Sequence, residues 1–229
     1  MNEHTVKVFD DELGQLRGLI AQMGGLAEAA IEGAIQALVR HDLEAAAEVV
    51  QGDKRIDALE SEVERLAVQL IALRAPMADD LREVVAGMKI ANVLERVGDH
   101  AKNIAKRVVE VEQANHIEPL SVLPAMATVA SDMLHDVLDA FAARDAELAA
   151  SIGERDRAVD DFYNSLFRAL VTFMMENPKS ITQATHLLFI AKNLERIGDQ
   201  ATNLAEMVYY AATGEQLGER DRMDTISGK

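Results

Sequence analysis

The sequence has no cysteine, no tryptophan and four prolines in 229 residues. Without cysteine there is no disulfide, no thiolate metal ligand and no thiol nucleophile. With so little proline, and with Ala, Leu, Glu and Arg prominent, few positions interrupt a helix, and the composition points to an all-α protein. No apolar run reaches the roughly 18–20 residues that a membrane span requires. Met1-Asn2-Glu3-His4 lacks the basic segment and apolar stretch of a secretory leader, so a cytoplasmic location without membrane insertion is expected. Positive charge is scarce too: 39 acidic against 23 basic residues, a formal net charge of −16. A field of that sign repels nucleic acid and anionic lipid, and favours cations or basic protein surfaces.

Catalytic signatures are also missing. There is no phosphate-binding Gly-rich loop, no dinucleotide turn and no Ser/His/Asp arrangement. The six histidines are scattered. None forms the Glu-x-x-His pairing of a di-iron bundle or a His-Glu-x-x-His zinc site. Met174-Met175 and the other methionines read as core filling.

What is present is repetition. Phe9, Leu13, Leu16, Ile20, Met23, Ala27, Ala30 and Ala34 recur at steps of three and four, the seam of one long helix. It ends near Arg40-His41, where Asp42 can cap a second helix. Ile56, Leu59, Val63, Leu66, Leu70 and Leu73 carry the second seam, which stops at Ala75-Pro76 because the residue before proline disfavours helical geometry. A third helix opens near Asp79-Asp80, carries Ile90, Val97, Ala101, Ile104 and Val108, and fades by Ala114-Asn115. Pro119 and Pro124 then bracket a new entry, and Met126, Val129, Met133, Val137 and Phe141 form a fourth seam.

The second half restates the first. Arg144-Asp145 repeats His41-Asp42, and Asp156 and Asp160 repeat Asp53 and Asp57, all at an offset of 103. Pro178 repeats Pro76 at 102, and Glu195 and Asp199 repeat Glu95 and Asp99 at 100. A near-constant offset through turn, cap, proline and acidic pair means that a whole three-helix unit is duplicated. The expected architecture is six helices in two tandem, pseudo-symmetric three-helix bundles. Residues 1–115 form the first, 116–215 the second, with a boundary near 113–120 and a loose tail at 216–229.

On a helical wheel with ~100° per residue, Glu95 and Asp99 lie opposite Ile90, Val97, Ala101, Ile104 and Val108. The second copy behaves likewise, with Ile190, Ile197, Ala201, Leu204 and Val208 inward, so the acids are expected to point away from the core. Folding each helix pair about its proline brings Asp53/Asp57 level with Glu95/Asp99, and Asp156/Asp160 level with Glu195/Asp199. Each hairpin then holds four carboxylates at one height. A bare acidic i, i+4 pair is weak, since roughly six arise by chance in a chain this acidic. The level arrangement in both copies says more. Four like charges repel unless a cation, an arginine or a raised pKa intervenes.

Carboxylates with Asn92, Asn103 or Asn203 nearby are hard donors, suited to Mg²⁺, Mn²⁺, Ca²⁺ or iron, with Zn²⁺ also open. His100 could add an accessory ligand, although its counterpart is Gln200 and an ordinary surface role suits it better. The plain alternative is a solvated face neutralised by Arg96 and Arg196. Gly98 and Gly198 recur on the flank. Glycine inside a helix costs about 1 kcal/mol relative to alanine, so a close approach to the backbone is expected there, unless the pair is simply inherited from one ancestral unit.

Leu94-Glu-Arg-Val-Gly-Asp-His-Ala-Lys-Asn-Ile-Ala105, its echo Leu194-Glu-Arg-Ile-Gly-Asp-Gln-Ala-Thr-Asn-Leu-Ala205, the upstream acidic pairs and the closing Val208-Tyr-Tyr-Ala-Ala-Thr-Gly-Glu215 resemble the PhoU family. The resemblance spans nearly the whole chain. It implies two three-helix bundles, often dimerised, in the cytoplasm. It implies a non-enzymatic role restraining the phosphate-starvation response, by linking the ATPase subunit of a phosphate importer to a phosphate-sensing histidine kinase. In some members the acidic motifs hold metal ions on the bundle surface. By position these would be Asp53, Asp57, Glu95 and Asp99 in one site, and Asp156, Asp160, Glu195 and Asp199 in the other. Asn92 is matched by Lys192 and Lys102 by Thr202, so the two sites are expected to differ in affinity. A metal-storage bundle or metalloenzyme, and a metal-free acidic scaffold, stand as alternatives.

Overall fold

The computed structural model describes residues 3–112 and 121–217, and every regular element among them is helical. The first unit is α1 (Glu3–Arg40), α2 (Leu43–Arg74) and α3 (Asp79–Glu112). The second is α4 (Val122–Ala143), α5 (Ala146–Ile152), α6 (Asp156–Glu176) and α7 (Ile181–Thr213), with a 3₁₀ turn at Pro178–Ser180 leading into α7. The expected boundary at 113–120, and residues 218–229 of the expected tail, lie outside the described residues.

The turns repeat as closely as the sequence does. His41 and Arg144 both take the left-handed conformation at φ 54°. The next residue caps the following helix: Asp42 accepts from the Ala45 amide and Asp145 from the Leu148 amide, each at 3.0 Å. Each cap satisfies one of the amides that a helix N-terminus leaves without a partner. Ala75 (φ 46°) ends α2 before Pro76, and Gly214 (φ 78°) ends α7.

One element departs from the expected pattern. The partner of α2 in the second unit is not continuous. Residues 153–155 interrupt it, and the amides of Glu154 and Arg155 bond three residues back, to Ser151 and Ile152, rather than four. Gly153 is a poor helix former, and Arg155 reaches sideways to Asp136 and Asp132 on α4. Asp156 then opens α6, where a negative charge favours the helix N-terminus.

In the first unit α1, α2 and α3 pack pairwise, and in the second α4, α5 and α6 pack on α7. The seams hold: Leu13, Leu16, Ile20, Met23, Val63, Leu66, Leu70, Met126, Met133 and Val137 are all buried. Leu73 is the exception, at 65% exposure. The units also pack on each other, α3 on α7 and α1 on α4. Their buried side chains therefore form one continuous cluster rather than two free-standing cores. Glu83, 5% exposed, pins this junction by pairing with Arg17 of α1 at 2.5 Å and with Arg144 after α4. Arg74 makes a two-pronged contact to Glu12 at 2.9 and 2.8 Å, tying the end of α2 to the start of α1.

Candidate functional site

α2 and α3 run antiparallel from the turn at Ala75 and Ala78, and this sets which carboxylates meet. Asn92 donates to Glu60 at 3.1 Å, and Lys102 donates to Asp53, so residues whose numbers sum to about 154 face one another. Asp53, Asp57, Glu60, Glu95 and Asp99 gather at that height. Their proximity shows in their acidities. Glu95 is held above its ordinary value by burial first, then by Asp99, Glu60, Asp57 and Asp53. Asp57 is raised by desolvation and by Asp53, with Lys102 opposing.

The outward direction expected of Glu95 and Asp99 on α3 does not extend to Asp53 on α2. It is 6% exposed, and its Oδ1 has no hydrogen-bond partner. The cause is Gly98. A Cβ there would stand 2.8 Å from Ile56 Cδ1 and 3.4 Å from Asp53 Oδ1, so the missing side chain is what lets α2 close over α3. Gly198 does the same job, since a Cβ would lie 3.2 Å from Asp156 Oδ1 and 3.3 Å from Val159 Cγ1.

The cations in these clusters are lysines. Lys102 donates to Asp53 on α2 and to Asp99 on α3. Burial lowers its basicity, but the two carboxylates outweigh burial and raise it. In the second unit Lys192 donates to Glu195 at 2.6 Å and sits 5.3 Å from the centre of the Tyr163 ring. Burial raises Glu195, Lys192 opposes, and Asp199 and Asp160 add to the rise. Asp160 is likewise raised by burial and then by Asp199. Glu195 Oε2 and the Thr202 hydroxyl, both buried, lack hydrogen-bond partners.

The two clusters flank the antiparallel contact of α3 and α7. His100 Nδ1 lies 3.1 Å from Asn193 Oδ1 across that contact, and burial holds this histidine below its ordinary value. Arg107 meets His186 at 3.1 Å and stacks 4.2 Å from the centre of Phe189. These contacts fill one side of the helix crossing. The other side opens as a groove of about 1760 Å³, lined by Arg82, Lys89, Arg96, Asp199, Glu206 and Tyr210 among others.

A model of the PhoU domain matches residues 20–108 and again 123–208, once for each unit. The chain belongs to the PhoU family. It is 56% identical to a phosphate-specific transport system accessory protein PhoU homolog of Zymomonas mobilis, over 96% of this chain and 92% of that protein. The crystal structure of PhoU from Pseudomonas aeruginosa superposes with a TM-score of 0.87 at 35% identity, covering 90% of this chain and all of that one. The phosphate transport system regulatory protein PhoU from Streptococcus pneumoniae does so with 0.86 at 33% identity, over 92% of this chain and all of that one.

Seen as a PhoU protein, the chain brings all four acids of its first motif pair together and adds Glu60, which the sequence reading missed. In the second pair, Asp160, Glu195 and Asp199 interact, while Asp156 lies over Gly198. Asn103 is exposed, Asn203 lines the groove, and His100 is turned to Asn193. Lys102, three residues after Asp99, and Lys192, three before Glu195, carry the neutralising charge expected of Arg96 and Arg196. Helical spacing alone could have revealed them. As for a metal, the donors are chemically suitable, but among the described residues no three His, Asp or Glu side chains are arranged to hold an ion. In the first cluster the ammonium of Lys102 stands between Asp53 and Asp99. No described helix is long and apolar enough to cross a membrane.

Proposed function

We propose that this chain is a non-enzymatic accessory regulator of phosphate uptake that acts by contact. It restrains the phosphate-starvation response in the cytoplasm by joining the ATPase subunit of a phosphate importer to a phosphate-sensing histidine kinase. The observation that carries this reading is the family match over both units, with relatives named for a transport accessory role. Two similar units offer two similar faces, enough to touch two partners or to pair with a second copy. A net charge of −16 suits basic partner surfaces and speeds association with them. The test is direct binding of the purified chain to the ATPase subunit and to the cytoplasmic part of the kinase. Salt-sensitive binding to both is expected, and binding to neither would overturn the reading.

A second reading concerns cations. The buried Glu195 Oε2, which lacks a hydrogen-bond partner and lies near Asp199 and Asp160, favours a hard divalent or trivalent ion at the second cluster. Binding there would relieve like-charge repulsion, so Mg²⁺ or Mn²⁺ should raise the melting temperature. Asp199→Asn should remove that rise.

A further inference from the structure

We propose that Lys102 is the resident cation of the first acidic cluster: its ammonium bridges Asp53 and Asp99 where a metal ion would have to sit, so this cluster takes no metal while Lys102 is in place. Three observations converge. Lys102 contacts carboxylates on two helices, Asp53 on α2 and Asp99 on α3, and so ties the helices as a bridging ion would. Its side chain is mostly covered, at 22% exposure, and Asp53 is more covered still. Carboxylate oxygens bind Mg²⁺ or Ca²⁺ at roughly 2.0–2.6 Å, so an ion shared by these two acids would occupy the space that the ammonium fills. Two cations at that separation repel strongly in a desolvated site.

The second unit lacks this device. Thr202 stands at the equivalent position, neutral and too short to reach across. Its nearby lysine, Lys192, enters from the other side, pairs with Glu195 on its own helix, and leaves Asp199 and Asp160 without a bridge. The duplicated motif has therefore diverged in how it is neutralised. One copy carries its own cation on a tether. This inference concerns the first cluster alone and does not rest on the regulatory reading.

The experiment uses the full chain with Asp199→Asn, which weakens the second cluster, and compares Lys102 with Lys102→Thr in that background. Mn²⁺ binding is measured by titration calorimetry and by the melting temperature. With Lys102 present, Mn²⁺ should give no saturable heat and no shift. With Lys102→Thr, the metal-free protein should melt lower, bind one Mn²⁺ per chain and regain about 5–10 °C at a hundredfold excess over Kd. Adding Asp53→Asn should remove that gain. Saturable Mn²⁺ binding in the Lys102 protein that Asp53→Asn abolishes would overturn the proposal. So would a folded Lys102→Thr chain that binds no Mn²⁺. If Lys102→Thr fails to fold, Lys102→Gln takes its place, and the Lys102 arm decides on its own.

Discussion

Lys102 and Thr202 hold equivalent places, yet one bridges two carboxylates and the other hides a partnerless hydroxyl. At this scale the clusters are balances of burial against charge, and pH reads them out. Burial holds Glu195 above its ordinary value of 4.5, so its ionised form costs the folded chain stability at neutral pH. The cost fades as pH falls through the folded-state value, where the folded carboxyl takes up its proton. Glu195→Gln removes the charge. It should therefore melt higher than wild type at about pH 7.5, with the difference shrinking towards about pH 4. Thermal melts at both pH values check this, and an equal gain at both would contradict it. Close approach at Gly198 gives a second prediction. Gly198→Leu would push side-chain atoms onto Val159, whose branched Cβ cannot turn aside, and should cost about 1–3 kcal/mol in denaturant unfolding. The sequence placed four acids at one height in each hairpin, because antiparallel helices fix height, and a glycine on the flank of each. It missed that Asp53 is buried, since the wheel of a single helix does not show what the neighbouring helix covers.

At the scale of elements, caps and turns carry the duplication most faithfully. Asp42 and Asp145 each satisfy one amide of the following helix, so Asp42→Ala and Asp145→Ala should each cost about 1 kcal/mol, with Asp145→Ala acting on the short α5. That corresponds to roughly 2–4 °C in melting temperature for a chain of this size, and the two losses should add because the sites are independent. Helix ends were legible to within a residue where a proline or an aspartate cap marks them. The break at 153–155 was not, because the seam continues through it: Ile152 and Val159 are both buried. Arg155 makes the difference, and its pull toward Asp136 is a contact between helices that periodicity along one helix does not encode.

For the whole molecule, the packing of α3 on α7 matters most. It merges two repeats into one core, places the acidic clusters on either side of a crossing, and leaves a groove on the side that Arg107 and Phe189 do not fill. The duplicated unit was visible in the sequence. The junction was not, although the buried Ala91, Leu94 and Ala105, and their counterparts Ala191, Leu194 and Ala205, widen the apolar stripe beyond what a lone bundle needs. Arg96 and Arg196 are exposed beside the acidic motifs, and Arg96 lines the groove. If these two arginines pair with carboxylates on the partners, inside otherwise acidic faces, Arg96→Glu with Arg196→Glu should weaken partner binding at least tenfold, about 1.4 kcal/mol, without lowering the melting temperature. Core truncation at Leu66, by contrast, should act only through lost stability of about 2–5 kcal/mol. The most direct test of regulation by contact is a phosphate-starvation reporter in a strain lacking the protein, grown in plentiful phosphate. The account predicts that the reporter is switched on, that the wild-type chain silences it, and that the double arginine reversal does not. A reporter that stays silent in the deletion strain, with phosphate uptake unchanged, would contradict it.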